Sequence, residues 1–401
     1  MPMIFNIKDF GAVPDGTLQT AAIQAAINQC ADNGGTVVIP TGTFVSGRLN
    51  LVSNMTLRLE EGAVLAGSLD WHDYSLVPDD DGVWKGFKHR TSFLRAVDVE
   101  NVSIEGPGVI DGRDCRNPGG EEGFRGPHAC YFLNCKNIQL KSYVIRNSAN
   151  WAHCIEKSSG IRLENVSVEA GHDGCHMRGC SDVVIDHCSF HTGDDCVAGF
   201  DNVDVKVLNS TLNSACSAFR YGGRGLLVEN CRLYGPGKFI HRISKRTNML
   251  CAFTYFSAKR DNPVTSGDWL IRNCTMDKVG RLCSLTVSDH EWQAGSVLED
   301  VTFENCSVTD LRACGWGASN AEPALNLVFR HFKATFEDGL STPFLCLRNF
   351  RSCLLDDVAI TGLNGAHIVE VDGLGDVTMA SVSSDGVAAV GTLDDKAAPS
   401  F

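Results

Sequence analysis

The sequence predicts an all-β chain: a single parallel β-helix running over residues 1–401, with an N-terminal helix capping it. Three observations predict this. First, four stretches read alike: SSGIRLENVSVEAG (158–171), CSDVVIDHCSFHTG (180–193), FDNVDVKVLNSTLNS (200–214) and YGGRGLLVENCRLYG (221–235). Their shared polar position falls at Asn165, His187, Asn209 and Asn230, in steps of 22, 22 and 21. Second, each stretch holds short apolar/polar alternations such as Ile161-Arg162-Leu163, broken by Gly, Asn, Asp and Ser, which are strand and turn signals. Third, no helical period separates the repeats. One such unit cannot bury its own apolar face, whereas stacked units bury a continuous core.

The remaining elements follow in order. TAAIQAAINQCA (20–31) places Ala22, Ile23, Ala26, Ile27 and Cys30 at helical spacing, and Asn33-Gly34-Gly35 stops it. This helix, within a cap of about residues 1–35, covers the open end of the solenoid. NVSIEGPGVIDG (101–112) and NIQLKSYVIRNS (137–148) carry the repeat before the central coils. WLIRNCTMDKVG (269–280), VLEDVTFENCSVTDL (297–311), LVFRHFKATFEDG (327–339) and LLDDVAITGL (354–363) carry it after them. Four segments break the period and read as loop insertions, at 68–92, 113–129, 236–268 and 312–323. Long loops on a rigid repeat are where binding walls form.

Composition narrows the partners. The chain has 401 residues, is 43% apolar and 21% charged, and carries a net charge of −13. That balance argues against nucleic acid, which needs clustered Lys and Arg, and against an anionic membrane surface. A local Arg/Lys cluster still suffices for an acidic sugar. No leader and no apolar run of membrane-spanning length is visible. The 18 cysteines lack zinc spacing. Cys188, Cys231, Cys274 and Cys306 each follow the polar corner by one residue, so they read as buried free thiols filling a core. Free thiols favour a cytoplasmic location. Asn165-Val-Ser and Asn209-Ser-Thr read as ladder positions rather than glycan sites. No cofactor and no metal is expected, and the oligomeric state is left open.

The chemistry concentrates at GHDGC (171–175) and GDDC (193–196). Asp173 and Asp195 are 22 residues apart, which stacks them on successive coils about 4.8 Å apart. Asp194 adds a third carboxylate. Crowded carboxylates raise at least one pKa, as a general acid requires. The preceding glycines read as turn residues that re-aim the side chains outward. Two carboxyl groups are the minimum for glycoside hydrolysis; about 5 Å between them goes with retention and about 6.5–9.5 Å with inversion.

FNIKDFGAVPDG, GGTVVIPTGTFVSG, LNLVSNMTLRLEEGAVLAGS, NVSIEGPGVIDG and TGDDCVAG resemble the polygalacturonase family, glycoside hydrolase family 28. The resemblance covers roughly residues 4–112 and 137–235. It implies a right-handed, pectin-lyase-like β-helix and inverting hydrolysis of galacturonan-type chains, with Asp194 as general acid and Asp173 and Asp195 holding the attacking water. The expected partner is an oligosaccharide or polysaccharide, with uronic-acid units among the candidates, cleaved in exo fashion. Two motifs differ. The family's Asn-Thr before the first aspartate is Gly171-His172 here, and its Gly-His-Gly reads Ala215-Cys216-Ser217. The nearest copy of its Arg-Ile-Lys is His241-Arg242-Ile243-Ser244-Lys245. Candidate substrate contacts are therefore Arg220, His241, Arg242 and Lys245, together with His153, His172, His176 and Trp151 near the carboxylates by coil counting. A lyase or epimerase using Ca²⁺ on aspartates, and a non-catalytic glycan-binding β-helix, are the alternatives.

Overall fold

A computed structural model describes residues 3–74, 91–258, 262–287, 296–319 and 322–393. The architecture is a mostly parallel stack of short strands, a β-helix, with one N-terminal helical segment. By their contacts the residues form two compact units, 1–198 with 239–245, and 199–238 with 246–401. Among the described residues no helix is long and apolar enough to cross a membrane.

In the first unit every strand pairs in parallel with its equivalent in the next coil. Ser159↔Ser181 and Ser167↔Ser189 carry the 22-residue step, while insertions lengthen other coils, as in Ser92↔His128. The register aligns like with like. Val37, Leu57, Ile104, Leu140, Leu163 and Ile185 form one column, and all six are buried. Full burial of such a side chain stabilises by about 1.5–3 kcal/mol, and the period-2 alternation keeps the whole column on the inside.

The helix spans Thr20–Asn28 and buries Ile23, Ala26 and Ile27. It satisfies the exposed edge chemically. The Gln24 side chain donates to Asn50 O (3.0 Å) and accepts from Asn50 N–H (2.8 Å). A second short turn, Cys30–Asn33, ends at Gly34, whose φ of 69° lets its N–H reach Cys30 O.

In the second unit the interior is aromatic. Phe219 stacks on Phe253 (4.9 Å) and Phe303 on Phe329 (5.0 Å). The polar corners hold backbone as well as forming ladders. Asn165, His187, Asn209, Asn230, Asn273 and Asn305 are all left-handed, a conformation in which Asn and His are enriched. Asn230 donates to Asn209 (3.2 Å) and Asn305 to Asn273 (2.7 Å), whereas His187 turns to Asp186 (2.8 Å). Cys188, Cys231, Cys274 and Cys306 are buried, and each thiol donates to the carbonyl two residues earlier. All 18 cysteines are free.

Two insertions are shorter than the sequence suggests. Met249–Tyr255, inside 236–268, pairs in parallel with Ser217–Glu229 and Val279–Thr286. Gly315–Ala318, inside 312–323, pairs with Leu345–Arg348. Both are coil strands whose flanks are irregular, so a broken period concealed them. Of the 68–92 insertion, residues 75–90, including Asp79-Asp80-Asp81, lie outside the described residues.

Candidate active site

Strand Cys175–Arg178 pairs with His153–Glu156 through His153↔Cys175. The residues just before the strands, 171–174 and 193–196, are bends rather than strands. The bends stack as the strands do. Ala152 N–H donates to Asp173 O (2.8 Å) and Gly174 N–H to Asp195 O (2.9 Å). Asp195 N–H reaches the Asp173 carboxylate, at Oδ1 (3.3 Å). One carboxylate oxygen from each of Asp173, Asp194 and Asp195 comes within 4.8 Å of the others. The bend releases Asp195 from the inward position that strict alternation with Val197 demands.

The glycines serve a different purpose from the expected turn geometry. Neither Gly171 nor Gly193 has a positive φ. A Cβ on Gly193 would stand 2.3 Å from Ile240 O and 2.6 Å from Gly171 O, and one on Gly171 would meet the Arg242 guanidinium at 2.0 Å. They are needed because neighbouring chain packs against them.

Asp194 is the most accessible of the three, with 16% of its side chain exposed. Its Oδ1 lies 3.6 Å from His241 Nε2, and its Oδ2 lies 3.8 Å from Arg125 Nη2. Ser244 N–H donates to His241 Nδ1 (3.0 Å), which leaves Nε2 as the ring's donor, facing Asp194. Carboxylate crowding predicts a raised pKa here, and the balance runs the other way. Burial pushes the Asp194 carboxyl up, but the His241 ring and then the Arg125 guanidinium hold it below its ordinary range. Glu121, on the turn Glu121–Gly123, moves oppositely. Burial raises it, with Arg125 and Arg178 opposing and Glu122 and Asp194 adding.

Asp173 and Asp195 are 4% and 2% exposed. His176 Nδ1 holds Asp173 Oδ2 at 2.8 Å. The His176 ring lies flat on Trp151, 3.7 Å between centroids and 4° from parallel. His128 also packs on Trp151, tilted by 32° with 5.1 Å between centroids. Below it, Arg178 pairs with buried Glu156.

The sequence candidates thus separate. His172 is buried, stacks on Phe124 (6.0 Å) and lines a cleft with Asp114, Arg116, Arg242 and Lys245. Burial, then Arg125, Arg242 and His128, lower its pKa well below the ordinary value against Asp194; it is neutral at pH 7, and its Nδ1 has no hydrogen-bond partner among the described residues. Arg242 is paired with Asp114, and Lys245 Nζ caps Arg242 O. His241 stands at Asp194. His176 holds Asp173, Trp151 backs the His176 ring, and both are buried. His153 is fully buried inside the coil, its ring between Tyr143 Oη (2.9 Å) and Gly174 O (3.0 Å); its row, Cys130–His153–Cys175, faces the core, so it is a core histidine and not a sugar contact. Arg220 belongs to the second unit, with its guanidinium 3.9 Å over the Phe256 ring.

Sequence reasoning missed Arg125, Phe124, His128 and Asn150. Glu122 and Arg125 pair at i,i+3, which was a readable signal, but it lies in an irregular insertion where no period assigns a face.

Residues 4–240 match the family model described as rhamnogalacturonase A/epimerase, pectate lyase-like. A probable polygalacturonase of Vitis vinifera is 28% identical over 222 residues, 50% of this chain and 45% of that protein. An exo-poly-alpha-D-galacturonosidase of Dickeya chrysanthemi is 39% identical over 123 residues, 28% of this chain and 20% of that protein. The chain therefore spans less than half the length of these curated relatives. The family 28 exopolygalacturonase of Yersinia enterocolitica superposes with a TM-score of 0.63 at 19% identity, over 98% of this chain and 79% of that one. The Streptococcus pneumoniae surface protein and adhesin PfbA does so equally, with a TM-score of 0.63 at 14% identity over 97% of this chain and 99% of that one. These likenesses show the fold.

Proposed function

The chain belongs to the rhamnogalacturonase A/epimerase, pectate lyase-like family, and on that premise we propose that it is a glycoside hydrolase acting from the end of galacturonan-type oligosaccharides, with inversion. Asp194 donates the proton to the leaving oxygen, and Asp173 with Asp195 orients and deprotonates the attacking water. The observation that carries this reading is the three-carboxylate cluster on stacked bends, where the most exposed member lies beside two nitrogen donors, the other two are buried, and the Asp173 carboxylate is hydrogen-bonded on both oxygens. Sugar hydrolysis needs an acid and a base whose environments differ, and these environments do.

A separation under 4.8 Å, taken alone, sits at the retaining end of the usual range. Inversion is supported instead by the family resemblance and by Asp173 and Asp195 forming a pair able to hold one water. End-on action is supported by the wall that Asp114, Arg116 and Phe124 build beside His172, and the cations Arg116, Arg242 and Lys245 suit a uronate carboxylate. Eighteen free cysteines support work in a reducing compartment.

The test is incubation with trigalacturonate and polygalacturonate, following products by NMR. Monomer released first as the β-anomer from the α-linked chain supports the reading. Retained configuration overturns inversion, and an unsaturated product absorbing in the ultraviolet overturns hydrolysis in favour of elimination.

A further inference from the structure

Arg125, beside Asp194, is both permanently charged and tightly held. Its Nε and Nη2 form a fork to Glu122 (2.8 and 3.0 Å), and its Nη1 donates to Asn150 Oδ1 (3.2 Å). With three of its five N–H donors engaged and 7% of the residue exposed, the guanidinium cannot swing away. The remaining direction of Nη2 points at Asp194 Oδ2. We propose that Arg125, carried on the 113–129 insertion, is a positioning residue that sets the charge state of Asp194. This rests on the reading of Asp194 as proton donor only for its kinetic consequence.

The other groups facing Asp194 come from several segments. His241 faces Oδ1 at 3.6 Å with the Ser244 N–H on its Nδ1, and it is the first of the groups that hold the Asp194 carboxyl down. His172 is neutral at pH 7, from burial first and the nearby arginines second. Asp173 and Asp195 lie within 4.8 Å, and Glu121 adds a further carboxyl; these favour a protonated Asp194. Arg125 is thus the pH-independent cation opposing three carboxyls. Without it, one of the groups that oppose burial is gone, and the Asp194 carboxyl rises while His241 still holds it in part. A proton donor that ionises at higher pH keeps working to higher pH. Arg125 therefore sets the pH range of the reaction through Asp194 rather than through a contact with the sugar.

The experiment compares wild type, Arg125→Lys and Arg125→Met. A third variant, Glu122→Gln/Arg125→Met, removes the carboxylate that the single change leaves without its ion pair, in case that change fails to fold. Two readouts are taken: the pH profile of kcat/KM on trigalacturonate, and infrared titration of the Asp194 carboxyl C=O band, assigned by difference with Asp194→Asn. The expected result is that the basic limb and the infrared midpoint both move up by about one pH unit or more, a tenfold change in acid strength, in the Met variants, and stay in place in Arg125→Lys. A purely structural role would lower kcat at all pH values and move neither; an unmoved infrared midpoint overturns the proposal. A midpoint that moves while the limb does not, or that moves in a protein that hydrolyses no probe, upholds Arg125 and overturns Asp194 as proton donor.

Discussion

The backbone N–H of Asp195 donates to the carboxylate of Asp173, 3.3 Å away and 22 residues earlier. One coil of the solenoid thus becomes one hydrogen bond within the site. The same carboxylate takes His176 on its other oxygen, so Asp173 is oriented on both sides before any substrate arrives.

Removing the His176 donor leaves a buried carboxylate short of a charge-assisted bond, which costs about 1.5–3 kcal/mol. His176→Leu should therefore lower kcat roughly 10- to 150-fold on trigalacturonate with little change in KM, while His176→Asn, which keeps a donor, should recover part of the loss. Steady-state kinetics on the three proteins checks this, and a change confined to KM would place His176 at the substrate instead.

Asp194→Asn keeps the shape and removes the proton. The expected loss is about 10²–10⁴-fold in kcat, with binding of trigalacturonate by calorimetry near wild type. Hydrolysis at the wild-type rate would remove Asp194 from its role.

The carboxyl of Asp194 is held low in the free protein, so it is ionised at neutral pH. Hydrolysis should accordingly speed up as pH falls below neutrality. The linked stability has its own sign: a depressed carboxyl stabilises the fold above its unfolded value of about 3.9 and loses that contribution as pH drops through the folded value. Asp194→Asn should be less sensitive to acid in that range by denaturant titration.

Gly193→Ala forces a Cβ against two backbone oxygens. Backbone cannot yield as a side-chain tip can, so overpacking costs typically about 1–3 kcal/mol or more. A lower denaturation midpoint at unchanged slope is expected. The matching Gly171→Ala meets the flexible Arg242 and should cost less.

His153 is buried with its pKa pushed down to about 4, by burial first, against the bond to Gly174 O. Between pH 6.5 and 4 the unfolded chain takes a proton there that the folded chain refuses, so stability falls as pH falls through that window, by on the order of 3 kcal/mol. His153→Gln should flatten that part of the stability–pH curve; an unchanged slope would mean the ring accepts its proton in place.

Much of the fold is legible because a parallel β-helix repeats its physics in sequence order. The polar corner at 165, 187, 209 and 230, the thiol after it and the aliphatic columns all recur at a period that can be counted, and the helix at Thr20–Asn28 announces itself by its apolar spacing. Asp173, Asp194 and Asp195 were legible for the same reason. The strands Met249–Tyr255 and Gly315–Ala318 were not, since insertions on both sides disrupt the count. His153 misled because coil counting gives height along the stack but not which face a side chain takes; a bend one residue away changes that face.

The coil, its period, the helix at the N-terminal end and the stacking of Asp173 on Asp195 can be read along the chain, because each depends on residues at fixed separation pairing in register. What surrounds those carboxylates follows from contacts between distant segments. Arg125 arrives from the 113–129 insertion and His241 from residues 239–245, and irregular backbone has no period from which their positions follow. The same contacts make Gly171 and Gly193 necessary for close approach rather than for φ, and hold Asp194 ionised. Those outcomes depend on distances between segments remote in sequence, and charge and packing both act through distance.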